Sequence, residues 1–273
     1  MLETKDLTIR FGGHVAVNAV SCAFAPGTLT AIVGPNGAGK TTYFNLISGQ
    51  LKASAGTVSL DGQMLSGLSA SARTRAGLGR AFQLTNLFPN LTVLENVRLA
   101  VQAKAGAGLN LWRIWSDRRD LLQRADEVLE TVALADKRDA LASSLPHGDQ
   151  RKLEVALLMA LEPKVFMFDE PTAGMNAAEA PVILDLIRAL KKDRSKTILL
   201  VEHKMDVVRE LADRIIVLHN GQLVADGEPA EVIASPVVQE AYLGLPAAGA
   251  EDASRHVTAP IPAFPRTGEG EIP

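Results

Sequence analysis

The chain has 273 residues, 47% of them hydrophobic, and a formal net charge of −3; this suits one large domain, or one with a subdomain, and argues against a broad nucleic-acid-binding surface. The single cysteine, Cys22, excludes an internal disulfide, and residues 1–6 lack the basic and apolar pattern of a secretion signal, so we expect a reducing, cytosolic environment. Apolar runs are far shorter than the roughly 20 residues that cross a bilayer, so we expect no membrane span.

Short apolar and β-branched runs predict the strands of an α/β sheet. In chain order they cover residues 7–10, 28–33, 57–60, 165–168, 197–201 and 214–218. Helices are predicted over residues 41–48, 149–161, 181–192 and 205–211. Because the last two helices each connect successive strands, the pattern favours a parallel sheet.

The strand pattern disappears between residues 84 and 161. In that interval, apolar side chains recur at offsets that place them on one helix face. They are Leu121, Leu122, Ala125, Val128, Leu129 and Val132. We therefore predict a helical subdomain over residues 84–161, inserted between the two parts, 1–83 and 162–245, of an α/β core. Proline, glycine, alanine and charge dominate residues 246–273, which predicts a disordered tail.

A phosphate-binding loop of the pattern GxxxxGK[ST] follows the predicted strand 28–33. It consists of Gly34, Pro35, Asn36, Gly37, Ala38, Gly39, Lys40 and Thr41, and we include Thr42 in the same predicted site. Glycines let the backbone N–H groups and the N-terminus of the next helix point at phosphates. Lys40 adds a positive charge, and Thr41 adds a hydroxyl ligand for Mg²⁺. This loop predicts a nucleotide site.

Two carboxylates, Asp169 and Glu170, follow the apolar run 165–168. The carboxyl ends of strands are where an α/β sheet carries its chemistry. Asp169 suits the coordination of Mg²⁺, and Glu170 suits the polarising of an attacking water. A solvated strand end is the plain alternative, and the phosphate-binding loop in the same chain makes it less favourable.

The segment Leu145, Pro146, His147, Gly148, Asp149, Gln150 resembles the LSGGQ signature of ATP-binding cassette (ABC) ATPases. The resemblance covers about residues 1–245. It implies a P-loop NTPase (RecA-like) α/β core with an N-terminal antiparallel β portion and an inserted helical subdomain. It also implies that the chain binds and hydrolyses ATP with Mg²⁺. Two cassettes would pair head to tail, with each ATP between the Lys40 loop of one and the signature of the other.

The same resemblance assigns roles to single residues. Phe11 lies where the family has the aromatic residue that stacks on adenine, and residues 173–176 correspond to the D-loop. Gln83 would contact Mg²⁺ and couple the subdomain to it, and His203 would hold the attacking water and the γ-phosphate. The implied catalytic residues are Lys40, Glu170 and His203, and the implied metal ligands are Thr41, Gln83 and Asp169.

The signature departs from the family pattern at Pro146 and Asp149. Pro146 stands where the usual motif has a serine that donates to the partner's γ-phosphate, and proline has neither a hydroxyl nor an N–H. Proline suits the first turn of a helix, so the Gly148 amide and the helix dipole can still face the phosphate. Asp149 replaces the usual glutamine and brings negative charge near the nucleotide. We nevertheless expect ATPase activity.

Within the family the chain looks most like the cassettes of branched-chain amino acid importers. The residues that carry this likeness are 11–13, 16–17, 173–176, 202–205 and 241–244. Urea and amide importers are close, and the lipopolysaccharide-export cassette is similar but differs in the longer stretch 104–117 found here.

The likeness implies a peripheral subunit on the cytoplasmic face of the inner membrane. Its partners would be a second cassette, two transmembrane permease subunits and, indirectly, a periplasmic substrate-binding protein; we expect no nucleic-acid partner. A soluble ABC ATPase without a transport role and a nonhydrolytic nucleotide sensor are the alternatives. The intact Lys40, Asp169, Glu170 and His203 argue against the second of these.

Overall fold

The computed structural model describes residues 1–81, 87–106, 119–175, 179–236 and 238–239. Gln83, Asn176 and the tail 246–273 therefore lie outside the described residues, and so does the predicted motif 241–244. Within the described ranges, no helix is long and apolar enough to span a membrane.

Strands and helices alternate along most of the described chain. The strands are β1 (Leu2–Phe11), β2 (His14–Phe24), β3 (Leu29–Val33), β4 (Ala55–Leu60), β5 (Gln63–Met64), β6 (Leu78–Ala81), β7 (Val165–Asp169), β8 (Thr197–Val201), β9 (Arg214–His219) and β10 (Gln222–Gly227). The helices are α1 (Lys40–Ser48), α2 (Ala70–Arg75), α3 (Val93–Lys104), α4 (Arg119–Thr131), α5 (His147–Ala160), α6 (Ala180–Lys191), α7 (Met205–Leu211) and α8 (Pro229–Ala234).

The larger sheet has six strands in the order β10-β9-β3-β8-β7-β6. All neighbours from β9 to β6 run parallel, and only β10 is antiparallel to its neighbour. Every residue of β3 and of β8 is buried, as their continuous apolar runs indicate. The predicted parallel α/β core is confirmed. Because the strands are parallel, the segments that follow β3, β7 and β8 meet at one edge.

A second sheet of four strands has the order β2-β1-β4-β5 and is antiparallel throughout. This confirms the predicted N-terminal antiparallel portion, and it places the predicted strands 7–10 and 57–60 outside the parallel sheet. The strand β2 was not predicted, because its alternation of buried and exposed positions is interrupted by two consecutive exposed residues, Asn18 and Ala19. The strand β6 was not predicted either, because Gly79 and Arg80 occupy its centre.

Helices α3, α4 and α5 occupy the described part of the interval in which the strand pattern disappears. The predicted apolar face is buried at Leu121, Ala125, Val128, Leu129 and Val132, and it is half-buried at Leu122. The five buried side chains belong to one hydrophobic cluster that also contains residues of β7, β8 and α6. One core thus spans the helical interval and the sheet, and it does not separate them into two bodies. The subdomain boundaries at 84 and 161 therefore stay a prediction.

Candidate functional site

The loop between β3 and α1 has the backbone that its glycines predict. Gly34 has φ 152° and Gly39 has φ 95°, both in the region that favours glycine. A Cβ at Gly34 would lie 2.1 Å from the carbonyl oxygen of Leu218, and one at Gly39 would lie 2.5 Å from that of Ala16. Both positions therefore require glycine, and the loop packs against the end of β9 and the start of β2.

Lys40 is the first residue of α1 and is buried. Its Nζ donates to the carbonyl oxygens of Gly34 at 2.7 Å and of Pro35 at 2.8 Å. Burial lowers the pKa of Lys40 below its ordinary value, although the carboxylates of Glu170 and Asp169 act in the opposite direction. The ammonium group is thus held inside the loop that the sequence assigns to phosphate.

A cavity of about 410 Å³ opens above this loop. Part of its described lining comes from the phosphate-binding loop and the start of α1: Asn36, Gly37, Ala38, Gly39, Lys40, Thr41 and Thr42. The rest comes from other segments: Phe11, His14, Ala16, Glu170 and His203. The structure therefore brings Phe11, most of the phosphate-binding loop, Glu170 and His203 to one place. Phe11 is half exposed and forms one wall. His14, which faces Phe11 across the β1–β2 pair, was missed; its place at the turn after Phe11 is the signal that would have identified it.

The residues present fit a nucleoside triphosphate with a magnesium ion. The cavity has a suitable size for most of such a ligand, and the first turn of α1 carries no acidic residue that would repel phosphate. The Thr41 hydroxyl and the Asp169 carboxylate are oxygen donors of the kind that Mg²⁺ prefers. The predicted ligand Gln83 lies outside the described residues.

Asp169 ends β7, and its side chain, 9% exposed, lies against Arg80 of β6. The Nη2 of Arg80 donates to Oδ2 of Asp169 at 2.7 Å. Burial raises the pKa of Asp169, and the nearby Glu170 raises it further, while Arg80 acts in the opposite direction. Arg80 was missed by the sequence analysis, because an arginine in a short glycine-containing strand gives no pattern.

Glu170 and His203 form a pair at the edge of the parallel sheet. The Nε2 atom of His203 lies 2.7 Å from Oε1 of Glu170, and both side chains are about two-fifths exposed. Glu170 adopts φ 49°, and its N–H donates to the carbonyl oxygen of Val201 at 2.9 Å. The parallel register of β7 and β8 therefore brings the two residues together, although 33 positions separate them.

The signature segment lies at the start of α5. Pro146 is the residue before this helix, which begins at His147 and not at the predicted residue 149; its ψ of 156° is extended, and no side chain caps the helix. Pro146 and His147 are exposed, whereas Leu145 is buried. A Cβ on Gly148 would lie 2.4 Å from Oε1 of Glu179, so the signature glycine is packed against a side chain of the same chain.

Two lysines of the same chain compensate the negative charge of Asp149. Its carboxylate is buried and accepts hydrogen bonds from Lys137 and, at 2.8 Å, from Lys152. Burial by itself raises the pKa of Asp149, but the two lysines outweigh it and hold the pKa below its ordinary value. Gln150 donates from its side chain to the carbonyl oxygen of Leu145 at 2.9 Å, which fixes the start of the helix.

Among the described residues that line the cavity, none comes from the signature segment 145–150. Of the D-loop, residues 173–175 are described, and a Cβ on Gly174 would lie 3.7 Å from the His147 ring. The signature and the D-loop are thus neighbours within one chain, at a place separate from the phosphate-binding loop.

The chain matches the ABC transporter family over residues 17–173, more than half of its length. It also matches the family described as "Branched-chain amino acid ATP-binding cassette transporter" over residues 222–248. One relative is the high-affinity branched-chain amino acid transport ATP-binding protein LivG of Escherichia coli (strain K12). The two are 41% identical over 249 residues, which cover 89% of this chain and 98% of the relative. The corresponding protein BraF of Pseudomonas aeruginosa is 36% identical, with the same coverage of both chains.

Solved structures that resemble this chain are also cassettes of ABC transporters. The ADP conformation of MJ1267, an ATP-binding cassette of an ABC transporter, superposes with a TM-score of 0.76 at 29% identity; the match covers 90% of this chain and 99% of that one. The dimeric structure of MJ0796, a bacterial ABC transporter cassette, gives a TM-score of 0.71 at 26% identity, covering 84% and 99%. The fold is that of an ABC cassette.

Proposed function

This chain belongs to the ABC transporter family as one of its ATP-binding cassettes, and we propose that it powers the import of branched-chain amino acids. The observation that carries the proposed substrate is the match of residues 222–248 to the branched-chain amino acid cassette family. The names of the relatives LivG and BraF support the same substrate class.

We assign the binding roles from the geometry of the cavity. Lys40 and the backbone N–H groups of the loop would hold the phosphates, because the ammonium group and the start of α1 point positive charge and dipole into the cavity. Phe11 would support the adenine ring from the exposed wall. Thr41, Asp169 and Gln83 would hold Mg²⁺, which neutralises the charge that develops on the phosphates.

The Glu170–His203 pair provides the hydrolytic groups. Glu170 would polarise the attacking water, and His203, at 2.7 Å from this carboxylate, would fix its direction and contact the γ-phosphate. Both side chains remain partly exposed to the cavity, so water can reach them.

A second cassette would complete the site. The signature segment is away from the cavity of its own chain, and its helix α5 begins with an exposed Pro146 and His147. A partner in head-to-tail arrangement would place this helix start over the phosphates. The dimer would act on two permease subunits at the cytoplasmic face of the inner membrane, and a periplasmic protein would select the amino acid.

Uptake of radiolabelled leucine, isoleucine and valine by cells with and without this chain tests the proposal. Cells that lack it should take up these amino acids more slowly, and the parent gene should restore uptake. The Glu170→Gln variant should not, because it keeps the shape of the side chain and removes the base. If cells that lack the chain take up these amino acids normally but take up urea or acetamide slowly, the transported substrate belongs to the amide class instead.

Two other functions are alternatives to the import of amino acids. An exporter cassette would leave the uptake of all these compounds unchanged, and so would a soluble ABC ATPase. No described feature favours either of them over an importer.

A further inference from the structure

Glu202, between β8 and His203, is a buried acid that the proposed mechanism does not use. Only 3% of the residue is exposed. Its Oε1 accepts a hydrogen bond from the Thr172 hydroxyl at 2.7 Å, and its Oε2 accepts one from the main-chain N–H of His203 at 2.8 Å. Both oxygens of the carboxyl group therefore act as hydrogen-bond acceptors.

These two contacts join the segments that carry the proposed hydrolytic pair. Thr172, which is 2% exposed, lies two residues after Glu170, and His203 is the other member of the pair. The backbone N–H of Glu170 is bonded to Val201, at the end of the neighbouring strand. Glu202 therefore ties the turn after β7 to the turn after β8.

Packing alone does not account for a carboxylate at this position. Among the ion pairs of the described residues none involves Glu202, so its two hydrogen bonds must offset the cost of burial. An apolar side chain of similar volume would fill the space without that cost, and such replacements of buried charges are often neutral or stabilising. An apolar side chain could not accept the hydrogen bonds from Thr172 and His203, so it could not hold these two groups in a fixed geometry.

We propose that Glu202 is a positioning residue for hydrolysis, which holds the main chain of His203 and the turn at Thr172 so that His203 meets Glu170. The inference rests on the proposed ATPase site and adds a residue to it. Glu202 acts through His203 and does not itself contact the nucleotide. Losing it should therefore lower kcat for ATP and leave KM nearly unchanged, since the Lys40 loop is not touched.

Steady-state hydrolysis by the purified full chain tests this role with a matched pair of variants. Glu202→Met removes both acceptors, and we expect kcat to fall by about tenfold or more with KM for ATP within about threefold of the parent. Glu202→Gln should keep kcat within about threefold, because its amide oxygen accepts from the His203 N–H and its amide nitrogen donates to the Thr172 hydroxyl. A thermal melt of each variant shows that it is folded.

A second measurement asks whether Glu202 acts through His203. In a His203→Ala background, Glu202→Met should slow single-turnover hydrolysis by no more than about twofold, because the ring to be positioned is gone. The proposal is overturned if Glu202→Met matches the parent, if KM rises as much as kcat falls, or if the two losses multiply. A parent chain that does not hydrolyse ATP would instead overturn the proposed function, and this role with it.

Discussion

Arg80 and Asp169 form a buried ion pair between β6 and β7, with Nη2 and Oδ2 separated by 2.7 Å. The guanidinium group also donates to the side chains of Asn45 at 2.6 Å and Ser48 at 2.8 Å, both on α1. Its carbon lies 4.9 Å from the centre of the Phe44 ring. One arginine thus joins the proposed magnesium ligand to the helix that follows the phosphate-binding loop.

Replacing this arginine should destabilise the chain. In Arg80→Met the Asp169 carboxylate stays buried without its cation, and breaking a buried pair in this way costs about 3 kcal/mol. Urea unfolding at pH 7 measures the loss. Arg80→Lys is the matched control, because lysine keeps the charge and loses the planar fork, so its loss should be smaller. Equal stability of Arg80→Met and the parent would show that the pair contributes nothing.

Asp149 gives a prediction about pH. Its folded pKa lies below the ordinary value of 3.8, so the ion pairs stabilise the fold fully above that value and lose their effect as the pH falls below it. Asp149→Asn should therefore reduce the free energy of unfolding by about 1 kcal/mol at pH 7. The difference from the parent should stay constant from pH 6 to pH 8 and shrink below about pH 4.

The control for Asp149 is an exposed ion pair on the same helical part of the chain. Asp126→Asn removes the ion pair with Arg138, in which both side chains are about two-fifths exposed. Its loss should change the free energy of unfolding by less than about 0.5 kcal/mol. A larger loss for Asp126→Asn than for Asp149→Asn would contradict the role that we give to burial.

Pro146→Ser should strengthen the ATP-dependent dimer. The structure places residue 146 immediately before α5, where a serine hydroxyl can cap the helix or donate to a phosphate of the partner's nucleotide. A hydrogen bond to a charged acceptor contributes roughly 1.5 to 3 kcal/mol, more than the roughly 0.4 to 1 kcal/mol lost with the rigidity of proline.

Sedimentation of the Glu170→Gln chain with and without Pro146→Ser, at matched ATP, measures this effect. Pro146→Ala is the control, because it restores the N–H without the hydroxyl and should strengthen the dimer less. If serine and alanine behave alike, the hydroxyl does not reach the partner's phosphate, and residue 146 does not face the nucleotide.

Deleting residues 251–273 should leave the melting temperature and the ATPase rate nearly unchanged. The segment contains few large apolar residues, so it has little surface to bury against the core. The comparison is a thermal melt and a phosphate-release assay on the full and shortened chains. A fall of many degrees would show that the tail packs on the core.

Local sequence predicted the parts of the site that depend on contiguous motifs. The loop around Lys40 follows an apolar strand and matches the pattern GxxxxGK[ST], which predicted it. The acids at the end of β7 were predicted by the rule that an α/β sheet carries its chemistry at the carboxyl ends of its strands. His203 was reached through the family resemblance, and the parallel register then explains its contact with Glu170.

The remaining contacts depend on residues far apart in the chain, which no local pattern reveals. Arg80 is 89 positions from Asp169, and Thr172 is 30 positions from Glu202. The compensation of Asp149 by Lys137 depends in the same way on the fold of the helical region. The start of α5 at His147, and not at the predicted residue 149, makes Pro146 the residue that directly precedes the helix.

The most direct test of the proposed hydrolysis is phosphate release by Glu170→Gln compared with the parent, with nucleotide binding measured on the same samples. The amide keeps the shape of Glu170 but cannot polarise water, so binding should persist while turnover is abolished, and an ATP-bound dimer should accumulate. Turnover by Glu170→Gln within about threefold of the parent would show that Glu170 is not the catalytic carboxylate.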